Sequence, residues 1–238
     1  MLKKKSGWLS IVALMSILMV VSPMNVFAAE SENTTRVNQD VTVEIRDTND
    51  LATLSDELDR FVQLNPDSTE EEQDAHLIEF IKNGGLSNNR IDSRGVGDYL
   101  PGYGSLNPAE RKLALAHPVQ AVKVYNAGKT ATNKTIEVYG QNGWQDNSDA
   151  FRHCLWNALM KQSIGVSAAE KWATAHEYNS SGVDKAMDLH NNSIGRGINV
   201  SGQSTANIVD SVKAKVRDGS CRRIINGSLV ATDGSGMK

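Results

Sequence analysis

From Leu51 onward, apolar residues recur at three- and four-residue spacing in short segments cut by caps, glycines and prolines. Each such segment presents one apolar stripe that a neighbour must cover, so the pattern requires short helices packed on one another. Leu51, Leu54, Leu58, Phe61 and Val62 form the first stripe, which Asn65-Pro66 stops. Ser68 and Glu71 read as a capping box for a second helix carrying Leu77, Ile78 and Ile81, ended by Gly84-Gly85. Asn107-Pro108-Ala109-Glu110 combines an N-cap, an N1 proline and an early acid, and the helix it opens breaks at His117-Pro118. Val119 to Gly128 continues at helical spacing, whereas Thr130 to Tyr139 is weakly patterned.

Four more helices are expected: Asp149 to about Gln162, preceded by Ser148 and ended at Gly165; Ser167 to about Tyr178; Asp184 to about Ile194, ended by Gly195; and Gln203 to Arg217. Asn226-Gly227, between Ile224-Ile225 and Ser228-Leu229-Val230, reads as a type I′ hairpin turn. The expected class is mainly α. A compact helical domain (106–238) carries a small C-terminal β-hairpin, and an N-terminal helical hairpin (51–85) and a glycine-rich linker (86–105) precede it.

Residues 1–28 have the layout of a secretory signal peptide: Lys3, Lys4 and Lys5, an apolar run from Leu9 to Val21, then Val26-Phe27-Ala28. The run is too short to span a bilayer. The reading is therefore a secreted, extracellular or wall-associated chain with no transmembrane segment after processing. A polar, flexible arm (29–50) follows. Processing leaves 22 basic and 28 acidic residues, a charge of −6. An acidic chain is not a nucleic-acid binder by default. Cys154 and Cys221 would meet an oxidising compartment, and a disulfide and buried thiols remain alternatives.

The chemistry-bearing residues concentrate between 142 and 197. Asp149 and His153 are four apart on one helical face, the arrangement of a carboxylate orienting a base or of two ligands of one metal. Arg152 is placed to hold an anion, and Trp156 to stack on it. His176 and Glu177 end the next helix. Asp188, Asn191 and Asn192 share a face of the third. Each cluster alone has a bland reading as a cap, a dipole partner or a packed polar group. Together they point to one pocket between the helices. Asp149, Arg152, His153, His176 and Glu177 are the catalytic candidates; Trp156, Asp188, Asn191 and Asn192 are the binding candidates. A divalent metal on His153, His176 and Asp188 is an alternative, although no zinc-type spacing is present.

These residues carry a resemblance. Leu106 to Glu110, His117-Pro118, Val124-Tyr125, Asn142-Gly143, Asp149-Ala150-Phe151-Arg152-His153, Trp156-Asn157, Ala175-His176-Glu177 and Met187 to Gly195 together resemble a bacterial α-helical domain family of unknown function, found in small secreted proteins and toxin-like exported ones. The resemblance covers about residues 105–197 and implies a helical fold and an extracytoplasmic role, but no settled reaction. Phe151-Arg152-His153 with Asn157 is also similar to the active helix of secreted bacterial phospholipases A2. There the His is followed directly by Asp; here Cys154 stands in that place, so that activity does not carry over.

The function expected is a secreted hydrolase of a phosphoester, lipid or cell-wall polymer. The alternative is a non-enzymatic wall-associated or toxin-type protein whose polar cluster is structural and whose residues 51–85 contact a wall or protein partner.

Overall fold

The computed structural model describes residues 44–86 and 105–238; the expected signal peptide, most of the arm and residues 87–104 lie outside it. Among the described residues the chain forms seven helices and one two-stranded hairpin, a mainly α fold. They are α1 (Thr48–Leu64), α2 (Glu70–Lys82), α3 (Pro108–Ala116), α4 (Pro118–Tyr139), α5 (Asn147–His176), α6 (Gly182–Gly197), α7 (Thr205–Arg217), β1 (Arg222–Ile225) and β2 (Ser228–Ala231).

Local chemistry sets the ends. Asp47 accepts from the N–H groups of Asn49 and Asp50, so α1 starts at Thr48, ahead of Leu51. The capping box of α2 is Thr69 with Glu72, one residue beyond the expected pair, because Ser68 instead holds the Gln73 amide. Asp146 rather than Ser148 caps α5, accepting from both Ser148 N–H and Asp149 N–H. The weakly patterned stretch after Gly128 is helical as far as Tyr139. Its buried face includes Thr132 and Thr135, which a hydropathy pattern does not register as core.

The first half of α5 is the axis of the fold. Every residue from Asn147 to Met160 is buried, and α4, α6, α7 and β1 pack around it. Gly165 then breaks the helix with φ 80° and ψ 165°, a backbone conformation essentially confined to glycine. A straight helix would separate His153 and His176 by about 34 Å, yet their ring centroids are 6.3 Å apart. The second half therefore folds back along the first.

Helix α6 does not end at Gly195 but runs past it. A Cβ at Gly195 would collide with the Cys154 carbonyl oxygen and lie 3.0 Å from Asn157 Cβ, so the glycine permits the close approach of α6 to α5. The hairpin turn is type I′ as expected, with positive φ at both Asn226 and Gly227. Cys154 and Cys221 are buried thiols in contact, and that hydrogen bond together with burial raises the Cys154 pKa.

Helices α1 and α2 pack on α4. Leu51, Leu54, Leu58, Leu77 and Ile81 join the same core as Val122 and Phe151. Asp74 of α2 accepts from Val119 N–H at 2.8 Å, capping α4, which has no side-chain cap of its own. The described residues, 44–86 and 105–238, fall within one compact unit. No helix among the described residues is long and apolar enough to cross a membrane.

Candidate functional site

The two halves of α5, the start of α3 and the middle of α6 enclose a cleft of about 520 Å³. Its lining includes Asp149, Arg152, His153, His176, Glu177 and Asp188, so six of the residues expected from the sequence converge in one place.

His153 lies at the centre. Its Nε2 faces Asp149 Oδ1 and Asp188 Oδ1, each at 3.4 Å. Asp149 is fixed from behind by Arg152, at 2.5 Å, and by the Gln145 N–H, at 2.6 Å. Gln145 adopts a positive φ of 60° to aim that N–H. Burial pushes the Asp149 pKa up, but the His153 hydrogen bond and charge, with Arg152, outweigh it and hold it below the usual carboxylate value. Burial lowers the His153 pKa, and the two carboxylates more than offset this, leaving it raised. Burial, with the nearby charges of Glu177 and Asp149, pushes Asp188 up to about 7 against the opposing charge of His153.

His176 is held by a residue that the sequence marked only as a cap. Glu110 accepts from the Asn107 N–H through Oε2 and from His176 Nδ1, at 2.9 Å, through Oε1. The Asn107 amide donates to the Ala175 carbonyl at 2.8 Å. The start of α3 thus pins the end of α5. Only the fold reveals this, since 66 residues separate Glu110 from His176. Replacing Glu110 with Ala removes half a capping box and the buried partner of His176, and should cost roughly 2–3 kcal/mol. A melting temperature within a degree of wild type would refute that coupling.

Other expectations change place. Arg152 borders the cleft, but its terminal nitrogens are taken up by Asp149, Asn142 and the Gly143 carbonyl. It positions Asp149. Trp156 does not stack on Arg152. It is 1% exposed, donates to the Val124 carbonyl and lies 4.7 Å from the His176 ring. Asn191 pairs with both backbone groups of Arg222, tying β1 to α6. Asn192 accepts from Asn157, which accepts from Arg196. Trp156, Asn191 and Asn192 do not line the cleft. The sequence placed them correctly on their helices, but Trp156 lies on the enclosed half of α5, and Asn191 and Asn192 lie on the buried face of α6, which packs on α5 and β1. His76 stacks on Phe61 and pairs with Glu57 far along the chain, a structural role. The wall residues Arg111, Trp144, Asn179 and Ser180 were not anticipated. An exposed tryptophan in a glycine-containing turn was the one local signal.

Among the described residues, one group of three ligand-type side chains brings its ligand atoms within 4.8 Å of one another: Asp149, His153 and Asp188. Asp149, not His176, completes it. Four buried polar atoms of the cleft residues have no hydrogen-bond partner: Arg152 Nε, His153 Nδ1, Glu177 Oε1 and Asp188 Oδ1. Tyr139, Asn192 and Arg223, away from the cleft, each leave one buried atom unpartnered as well; what marks the cleft is that four such atoms, each costing about 1–3 kcal/mol, gather in one place.

Residues 111–220 match a family described as Domain of unknown function (DUF6973). The match takes in the whole of α4 to α7 and every residue of the His153 cluster. Glu110 and Asn107 stand immediately before it, and α1 and α2 lie outside it. No curated protein and no solved structure matches the chain.

Proposed function

We propose that the cleft is the active site of an exported hydrolase. The observation that carries this reading is the set of orphaned polar atoms on Glu177, Asp188 and His153, which are buried yet border an open cleft. Such atoms are satisfied by water and substrate, the partners that a hydrolytic site brings in.

In this reading a water sits among His153, Asp188 and Glu177. Glu177, 1% exposed and with Oε1 unpartnered, takes its proton. The hydroxide oxygen attacks the carbonyl carbon or phosphorus of the substrate. The bond to the leaving oxygen breaks, and His176, oriented by Glu110, supplies that oxygen's proton. Arg152 holds Asp149, and Asp149 holds His153. The leader read in residues 1–28 supports an extracellular or wall-associated site of action. Candidate substrates are phosphoesters, lipid esters and wall polymers.

The test is a panel of p-nitrophenyl phosphomonoester, phosphodiester and acyl esters with purified wild type and Glu177→Gln. The expected outcome is turnover of one class, reduced about 10²–10⁴-fold in the variant with the fold intact. Turnover unaffected by Glu177→Gln, or none with any ester and any wall preparation, overturns the proposal.

A further inference from the structure

We propose that Asp149, His153 and Asp188 hold one divalent transition-metal ion of the zinc type, with Glu177 beside it. The inference deepens the hydrolytic reading, on which its catalytic meaning rests, but the binding itself stands on geometry alone.

Three observations carry it. First, one ring nitrogen, His153 Nε2, faces two carboxylate oxygens at 3.4 Å each. A nitrogen bears at most one hydrogen and satisfies one acceptor well. Three ligand atoms within 4.8 Å of one another are accounted for by a cation held among them. Second, the spacing fits. Zinc bonds to nitrogen and oxygen run about 2.0–2.2 Å, which sets tetrahedral ligand–ligand edges near 3.4 Å; the two edges at His153 have that length. Third, Asp188 Oδ1 and Glu177 Oε1 are buried acceptors without donors. A cation on Asp188 satisfies the first, and a water on that cation, hydrogen-bonded to Glu177, satisfies the second.

The donor set narrows the ion. One imidazole with two carboxylates suits zinc or manganese better than calcium or magnesium, which take oxygen ligands. The surroundings are those of a ligand cage. Asp149 is locked by Arg152 and the Gln145 N–H, and α5 supplies Asp149 and His153 one turn apart on one face. Three protein ligands leave a fourth position, the arrangement of a catalytic rather than a structural site. The ion would lower the pKa of its water, and Glu177 would receive that proton.

The experiment strips the full protein with a chelator, dialyses it, and titrates Zn²⁺ against a chromogenic competitor. Melting curves with and without Zn²⁺ run in parallel. Wild type should bind one Zn²⁺ per chain and melt roughly 5–10 °C higher at saturation. His153→Ala and Asp188→Asn should each weaken binding by more than about 100-fold, while their metal-free circular dichroism stays that of wild type. Absence of stoichiometric binding, or binding that persists in both folded variants, overturns the inference. Ester hydrolysis by zinc-free protein that binds no zinc removes the metal and leaves the hydrolase. Zinc binding lost in both variants, with no hydrolysis of any substrate, upholds the metal and removes the hydrolase.

Discussion

Gly195→Ala should be among the most destabilising single substitutions in this chain. The new methyl would sit inside the contact radius of the Cys154 carbonyl oxygen and at 3.0 Å from Asn157 Cβ. The first obstacle is backbone of a helix buried on every side, so it cannot move aside as a flexible side chain would. Alanine regains about 1 kcal/mol of helix propensity, and overpacking costs about 1–3 kcal/mol, occasionally more. Because backbone meets backbone here, the upper end applies. The net loss of about 2 kcal/mol should lower the melting temperature by roughly 4–8 °C. Asp188 rides on α6, so moving α6 outward also separates Asp188 from His153. Metal affinity and turnover should fall with the stability. An unshifted thermal melt for Gly195→Ala would show that α5 and α6 are not in the close contact described.

His153→Ala should cost turnover about 10²–10⁴-fold, as large a loss as that of Glu177→Gln. Its Nε2 lies 3.4 Å from a carboxylate oxygen of both Asp149 and Asp188. Without it the carboxylates lose their common centre, and neither Arg152 nor His176 reaches into its place. Arg152 is committed to Asp149, Asn142 and Gly143, and His176 Nδ1 to Glu110. Added imidazole should restore part of the rate if the lost cavity admits it. A His153→Ala protein that turns over at the wild-type rate would place the chemistry elsewhere.

Much of this arrangement is legible in the residues alone. The cap at Asn107, the break at His117-Pro118, the stop at Gly165 and the Asn226-Gly227 turn each have a local cause, so each element appears where its own chemistry puts it. The convergence of Asp149, His153, His176, Glu177 and Asp188 was legible too, because glycine and serine breaks make these helices neighbours. What was not legible depends on packing. Trp156, Asn191 and Asn192 are of binding type, but Trp156 sits on the enclosed half of α5 and the two asparagines on the face of α6 that packs against α5 and β1, so all three are buried in the core. Glu110 looked complete as a cap, and nothing near it in the chain announces that its second oxygen holds His176. The extension of α4 through Thr132 and Thr135 was hidden because threonine is buried there behind its own backbone hydrogen bond, Thr135 Oγ1 to the Ala131 carbonyl at 2.8 Å.

Asp188→Asn separates a working site from a stabilising network in the buried polar cluster. Asp188 Oδ1 has no hydrogen-bond partner, and burial, with the charges of Glu177 and Asp149, outweighs the attraction of His153 and pushes its carboxyl up to about 7. A site tolerates such a group for the sake of what it binds, and removing the charge relieves the metal-free protein. The melting temperature of metal-free Asp188→Asn should therefore equal or exceed that of metal-free wild type. A fall of several degrees, matching the roughly 1–3 kcal/mol lost when a satisfied buried network is broken, would contradict the account.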